Sequence, residues 1–582
     1  MFRALACAIL LASLPASAQT TDIFPLSKVR PGMKGYGLTT IQGQKPIRFD
    51  FEVIGIARNF LPKTDIILVK SEDPQLALTG FARGMSGSPL FLDGKIACAF
   101  SYAFRFSKLS MGGCTPIEYM LEAATHKPRG DNLATVTEFQ KATAAPSQAY
   151  LLRPPLPAPP KDQPLVQADI PLAISGLGPR AFGEARKIFA PFDLEPMQGL
   201  GGGGDLASGS GTFELGGNIH MVFASGDFTA GGTCAVSYIE KDLVLGCGHP
   251  LMGMGESYMP VATAEVQFTV PTLDTSFKLA YPVREAGALV QDRLAAVVAD
   301  TSKRVAMIPV RVTVKNNEGL KVFSTNVIAN RFLTPQLATL AVANAVQVMS
   351  PDMTDATLTV KSTLSVKGFG PLAFTDYLYS AEGASLAALS TARGLRVLVP
   401  LLFNPYEPVK LEKIEIDAQI AYKADFAEII GVRLPELQLP AGKPTYVDVV
   451  LRPFNAPEYT QRVPLTIPDR LAGATVKIEV LPGDQARPDA APPKNLGEII
   501  DVFRTKTFPA NVLVATVYTS EEGVTLGGRV LPDLPDSALD TARPATATRR
   551  ADAYRSILRS KIPLSRVATG RQEIVVKIAD LK

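Results

Sequence analysis

The stretch Gly84-Met85-Ser86-Gly87-Ser88-Pro89-Leu90-Phe91-Leu92-Asp93-Gly94-Lys95-Ile96-Ala97-Cys98-Ala99-Phe100-Ser101 carries the strongest local signal in the chain. Pro89 opens a short apolar strand, and Asp93-Gly94 is a residue pair suited to a tight two-residue hairpin turn. The return strand alternates Ile96, Cys98 and Phe100 with smaller residues, so the segment reads as an antiparallel β-hairpin. Just ahead of it, Gly84 lets the backbone turn so that the N–H groups of Gly84 and Ser86 point at one spot. That is where the oxyanion of a tetrahedral adduct would form. Gly87 keeps side-chain bulk away from the same place. Ser86 is therefore the candidate nucleophile, with the Gly84 and Ser86 N–H groups as the candidate oxyanion hole.

The strand signal continues on both sides in short runs such as Phe51-Glu52-Val53-Ile54-Gly55-Ile56 and Ile66-Ile67-Leu68-Val69-Lys70, separated by Gly, Pro and Asp-Gly turns. Such spacing predicts a mainly β protein of barrels or sandwiches with few helices. A helix is predicted over 116–125, where Thr115, Pro116 and Glu118 read as a cap, a first-turn proline and a capping-box acid. Two more are predicted after Thr334-Pro335 and after Asn495, which has Glu498 three positions on. The proline-rich run LLRPPLPAPPKDQP over 151–164 reads as an extended linker. The glycine-rich run over 199–211 lacks the Gly-Lys-Ser/Thr ending of a phosphate loop and reads as a loop. The run GDQARPDAAPPKN, around 483–495, marks a third break. These divide the chain into a leader (1–18), a serine-bearing half (19–150), the linker (151–164), a second half (165–330), a helix and β connecting region (331–407), an immunoglobulin-like sandwich (408–482) and a C-terminal α/β region (495–582).

The first residues place Arg3 before an apolar run that ends in Ala16-Ser17-Ala18, the pattern of a secretory signal peptide. An exported chain, periplasmic or extracellular, with no transmembrane anchor after processing is the expectation. The net charge is +4 with the basic residues dispersed, which argues against a nucleic-acid partner. Cys98, Cys114, Cys234 and Cys247 remain after the leader, an even number that suggests disulfides. A two-residue turn at Glu240-Lys241 would set Cys234 opposite Cys247 on a hairpin, within bridging range, which leaves Cys98 with Cys114. The cysteines lack CxxC spacing and do not cluster with histidines, so no metal and no cofactor is expected.

A serine nucleophile needs a base, and the chain has three histidines. His126 follows the first predicted helix, at a solvated end. His220 lies at a strand start in Gly216-Gly217-Asn218-Ile219-His220 and reads as a satisfied, half-buried side chain. His249 follows the apolar strand Leu243-Val244-Leu245-Gly246 within a glycine-flanked bend and is the preferred base. Asp73 is the first choice for the acid that orients it, and Asp65 the second.

These blocks resemble the stage IV sporulation protein B (SpoIVB) family of trypsin-like serine peptidases. The resemblance runs from about Pro25 to Leu121, through GMKGYGLT, FEVIGIA, ILVKSEDPQLALTGFARGMSGSPLFLDGKIACAFSY and GGCTPIEYML, and returns at Leu245-Gly246-Cys247-Gly248-His249. Ser88 matches the second glycine of the peptidase motif GDSGGP, which leaves Ser86 at the nucleophile position. The resemblance implies a trypsin-like double β-barrel, a protein or peptide substrate, and catalytic roles for Ser86, His249 and Asp73. The serine and histidine blocks stand in reversed order relative to that family. The competing expectation is a catalytically inactive peptidase-fold binding or scaffold protein of the cell envelope.

Overall fold

The computed structural model describes residues 22–104, 106–126, 165–168, 170–192, 194–199, 209–383, 385–490, 493–526, 529–531, 537–538 and 552–580. The predicted leader, the 151–164 linker and most of the glycine-rich run lie outside the described residues. The protein is mainly β with few helices.

Six strands, β1 (Lys34–Thr39), β2 (Ile47–Leu61), β3 (Thr64–Ser71), β4 (Pro89–Leu92), β5 (Lys95–Phe104) and β6 (Ser110–Pro116), pair in the order β4-β1-β2-β3-β6-β5. A ladder between β4 and β5 closes them into an antiparallel barrel. Alternation drives the closure: Phe49, Phe51 and Val53 on β2 point inward with Val69, Leu90 and Phe100. Phe81 stacks on Phe100 inside this core at a centroid distance of 4.5 Å. The hairpin turn falls at Asp93-Gly94, between the paired Leu92 and Lys95, with both turn residues at positive φ.

After β7 (Leu165–Gln167), β8 (Leu172–Ser175) and β9 (Pro196–Gln198), a second set of strands follows: β10 (Asn218–Gly226), β11 (Thr229–Glu240), β12 (Leu243–Gly246), β13 (Gly255–Val270), β14 (Phe277–Arg293) and β15 (Ala296–Asp300). Their antiparallel ladders run β10-β13-β14-β15-β12-β11 and return to β10. The helix Ile117–Ala124 is wedged between the two sets. Its buried Ile117, Met120 and Ala123 share one cluster with Phe91 and Ile96 of the barrel and with Leu245, Val290 and Val298 beyond it. The helix forms where expected, but Pro116 occupies the cap position without a side-chain cap.

From β10 the sheet continues through β17 (Leu320–Val327), β16 (Ile308–Lys315), β20 (Leu411–Ala421), β18 (Ala356–Val366) and β19 (Gly370–Ser380). Against it packs the helix Leu333–Met349, buried nearly all round as its run of Leu, Ala and Val requires. The helix Leu496–Lys506 is capped by Asn495, whose side chain accepts the Glu498 N–H at 2.8 Å. A four-stranded and a six-stranded sheet drawn from 426–482 and 512–578 share a further core that includes Ile429, Val449, Ile478 and Val517. The predicted 408–482 unit thus differs at both ends: Leu411–Ala421 joins the large sheet, parallel to β16, and strands beyond 512 complete the core. Period-two alternation marks which face of a strand is buried, not which sheet it enters.

Both expected disulfides are present, Cys98–Cys114 with Cα atoms 5.6 Å apart and Cys234–Cys247 with Cα atoms 5.2 Å apart. They point to an oxidising, extracytoplasmic environment. The hairpin that carries the second turns at Lys241-Asp242, one residue later than the even spacing suggests, and a bulge between Val236 and Tyr238 takes back one of the two positions lost in register. No helix among the described residues is long and apolar enough to cross a membrane.

Candidate active site

The serine turn is held by its neighbours while Ser86 Oγ and the N–H groups of Gly84 and Ser86 stay unpaired. Met85 N–H donates to Ala82 O, Ser88 N–H and Ser88 Oγ both reach Met85 O, and Gly87 N–H donates to Phe100 O. Among the described residues no acceptor takes the N–H of Gly84 or of Ser86. Gly84 sits at φ +84°, in the left-handed region that makes such convergence of N–H groups possible. Ser86 Oγ is fully buried and has no hydrogen-bond partner.

The turn lies directly on β11. Ser86 O accepts Ala235 N–H at 2.7 Å, and Gly87 O accepts the Ser237 hydroxyl at 2.7 Å. A Cβ at Gly87 would stand 2.1 Å from Ala235 O and 2.5 Å from Cys247 N, so only glycine admits this approach. The serine turn therefore abuts the residue two positions before His249.

On the facing side, β12 ends at Gly246 and the chain bends at Cys247 and Gly248, both at positive φ. The disulfide to Cys234 pins this bend to β11. Thr115 Oγ1, read from the sequence as a helix cap, instead donates to Gly248 O at 2.7 Å and ties the bend to β6. His249 is fully buried. Its Nδ1 is 2.9 Å from Pro250 O, and its Nε2 has no partner. A carbonyl only accepts, so Nδ1 carries the hydrogen and Nε2 presents a lone pair. Burial pushes the imidazole down to about 4, with the backbone carbonyls of Pro250 and Ala168 opposing it. At neutral pH the ring is an uncharged base. No hydrogen bond joins Ser86 Oγ to His249 Nε2, so the short contact expected from the sequence is not formed in this conformation.

Neither expected carboxylate has His249 as a partner. Asp73 accepts the N–H groups of Asp50 and Gln75, each at 2.9 Å, and caps the short turn Pro74–Leu76. Asp65 accepts Asn59 N–H and pairs with Arg58, and these bonds hold its carboxyl below the usual range. Both are local turn carboxylates, the ordinary use of Asp beside a strand. Of the other histidines, His220 is buried and paired with Thr233 Oγ1 at 2.8 Å, and His126 is exposed.

Two residues at the site escaped the sequence reading. The buried Lys278 lays its stem and Pro171 over Gly84, where an added Cβ would lie 3.2 Å from Lys278 Cβ and 3.4 Å from Pro171 Cγ. Its Nζ reaches Asn218 Oδ1 at 3.2 Å and Thr39 Oγ1 at 3.4 Å, and burial lowers it to about 7. The buried Asp292 receives backbone N–H groups from the loop after His249. The available hint for Lys278 was a single charge between apolar neighbours in Phe277-Lys278-Leu279, whereas Asp292 in Gln291-Asp292-Arg293 stands among polar residues and gave none. No group of three or more His, Cys, Asp or Glu able to hold a metal occurs among the described residues. No family model, curated protein or solved structure matches the chain.

Proposed function

We propose that the chain is an exported serine endopeptidase, periplasmic or secreted, with Ser86 as nucleophile and His249 as general base. One observation carries this reading: the hydroxyl, the imidazole Nε2 and the two N–H groups that acyl transfer requires are left without partners at one buried interface. Buried polar groups are seldom left unsatisfied, and each costs about 1–3 kcal/mol, so such a set marks a site kept for a reaction. The closed barrel that carries Ser86 and the ring of ladders that carries His249 fit a trypsin-like double barrel with its halves exchanged in chain order. The paired sheets beyond 426 fit an added sandwich.

In the reaction, Ser86 Oγ bonds to a peptide carbonyl carbon while its proton passes to His249 Nε2. The carbonyl electron pair moves onto oxygen, which the N–H groups of Gly84 and Ser86 receive. His249 then gives its proton to the leaving amine, and water repeats the sequence to free Ser86. No metal or cofactor takes part. The substrate is a protein or peptide that reaches Ser86 when Lys278 and Pro171 move off the Gly84 turn. A second reading, a peptidase-fold scaffold of the cell envelope without activity, draws on the complete burial of both side chains. Labelling with a fluorophosphonate separates them: the wild type is expected to label and Ser86→Ala to lose the label. Equal labelling of the two proteins would refute Ser86 as nucleophile, and no labelling of either under varied salt and pH would favour the scaffold.

A further inference from the structure

The loop after His249 wraps around a single carboxylate. Asp292, on β14 and 1% exposed, accepts Leu251 N–H on Oδ1 at 2.7 Å, and Met252 and Met254 N–H on Oδ2 at 2.9 and 3.1 Å. Its ladder partner Gly255 closes the far end of the loop. Burial raises the carboxyl above its ordinary value, and the N–H groups of Met252, Met254, Leu251 and Gly253, which favour the charged form, oppose it.

The first of these bonds has a specific reach. Leu251 N–H and Pro250 C=O belong to one peptide unit, planar and trans, whose two polar bonds point in opposite directions. Asp292 holds the N–H end at 2.7 Å, and His249 Nδ1 lies 2.9 Å from the carbonyl end. Gln167 Nε2 also donates to that carbonyl, at 3.3 Å. We infer that Asp292 is the positioning carboxylate of this site, acting on His249 through the Pro250–Leu251 peptide rather than by direct contact with the ring. The negative charge at one end of the peptide polarises the carbonyl at the other and strengthens it as an acceptor for Nδ1–H. The ring is thereby held in the tautomer that leaves Nε2 without a hydrogen, as a general base requires. This rests on the reading of His249 as the base and gives the site a carboxylate although Asp73 and Asp65 are engaged elsewhere.

The test is nitrogen-15 NMR of full-length protein labelled at its three histidines, with His249→Gln identifying the resonance. In the wild type, His249 is expected to carry its hydrogen on Nδ1 at neutral pH. In Asp292→Asn the amide NH2 confronts loop N–H groups, so the two tautomers are expected to mix and fluorophosphonate labelling to slow roughly tenfold or more. Asp376→Asn, which breaks a buried pair with Arg393 in the large sheet, controls for lost stability and is expected to leave the tautomer unchanged. A wild type with the hydrogen on Nε2 would overturn the inference without any variant, as would an Asp292→Asn protein with an unaltered His249 spectrum. The tautomer is read independently of catalysis. A wild type that never labels counts against the peptidase alone, and an unmoved tautomer counts against Asp292 alone.

Discussion

Ser86 and His249 matter because each is buried with a polar atom unpaired and the two lie on either side of one docking contact, between Gly87 and Cys247. His220 is the internal contrast, a buried imidazole satisfied by Thr233. Burial depresses both rings, His249 to about 4 and His220 to about 3, from an ordinary value of 6.5. Each is held neutral in the folded protein, so between pH 6.5 and these values the unfolded chain binds more protons than the folded one. Stability is therefore full above about pH 6.5 and is lost as pH falls toward 4, at about 1.4 kcal/mol per pH unit for each ring. Urea unfolding at pH 7.0 and 5.0 is expected to show this loss, and His249→Gln to have a shallower dependence. An equal dependence in the variant would mean that His249 is hydrated in the folded state. At this scale the candidate nucleophile and base were legible from their own neighbours, because a glycine turn and a glycine-ended strand are local patterns. The carboxylate was not legible, because Asp292 acts on backbone N–H groups that nothing near it in sequence specifies.

At the scale of elements, the β4–β5 hairpin and the Asn495-capped helix follow from residues within a turn of each other, and both form where the sequence puts them. Thr115 shows the limit of that reasoning. Its position before Pro116 and Glu118 is that of a helix cap, but its hydroxyl is spent on Gly248 O across the interface. Thr115 still belongs to β6, where it pairs with Ala99, so its hydroxyl reaches across the interface rather than back over the helix start. Thr115→Val is expected to cost about 1–3 kcal/mol, the price of an unsatisfied buried carbonyl, and to leave helix content unchanged. Circular dichroism with urea titration checks both halves of that expectation; a loss of helical signal in the folded variant would restore the capping role. The strand Leu411–Ala421 carries the same lesson, since its alternation fits a small sandwich as well as the large sheet it enters.

For the whole molecule, the decisive feature is the seam between the closed barrel and the ring of strands β10 to β15. The serine turn docks on β11, the His249 bend is tied to β6, and the helix Ile117–Ala124 fills the space between them. Mainly β character with few helices followed from turn spacing. The contacts that dock the serine turn and the His249 bend were not legible, because Gly87, Ser237 and Thr115 find partners more than a hundred residues away. Lys278 and Pro171 close the seam over Gly84 in this conformation. The most direct measurement is therefore intact-mass analysis of the protein after fluorophosphonate treatment, with the adduct mapped by peptide sequencing. A single adduct on Ser86, absent from Ser86→Ala and slowed roughly a hundredfold or more in His249→Gln, is the expected result. An adduct on Ser88, or one on Ser86 that forms equally fast without His249, would contradict it.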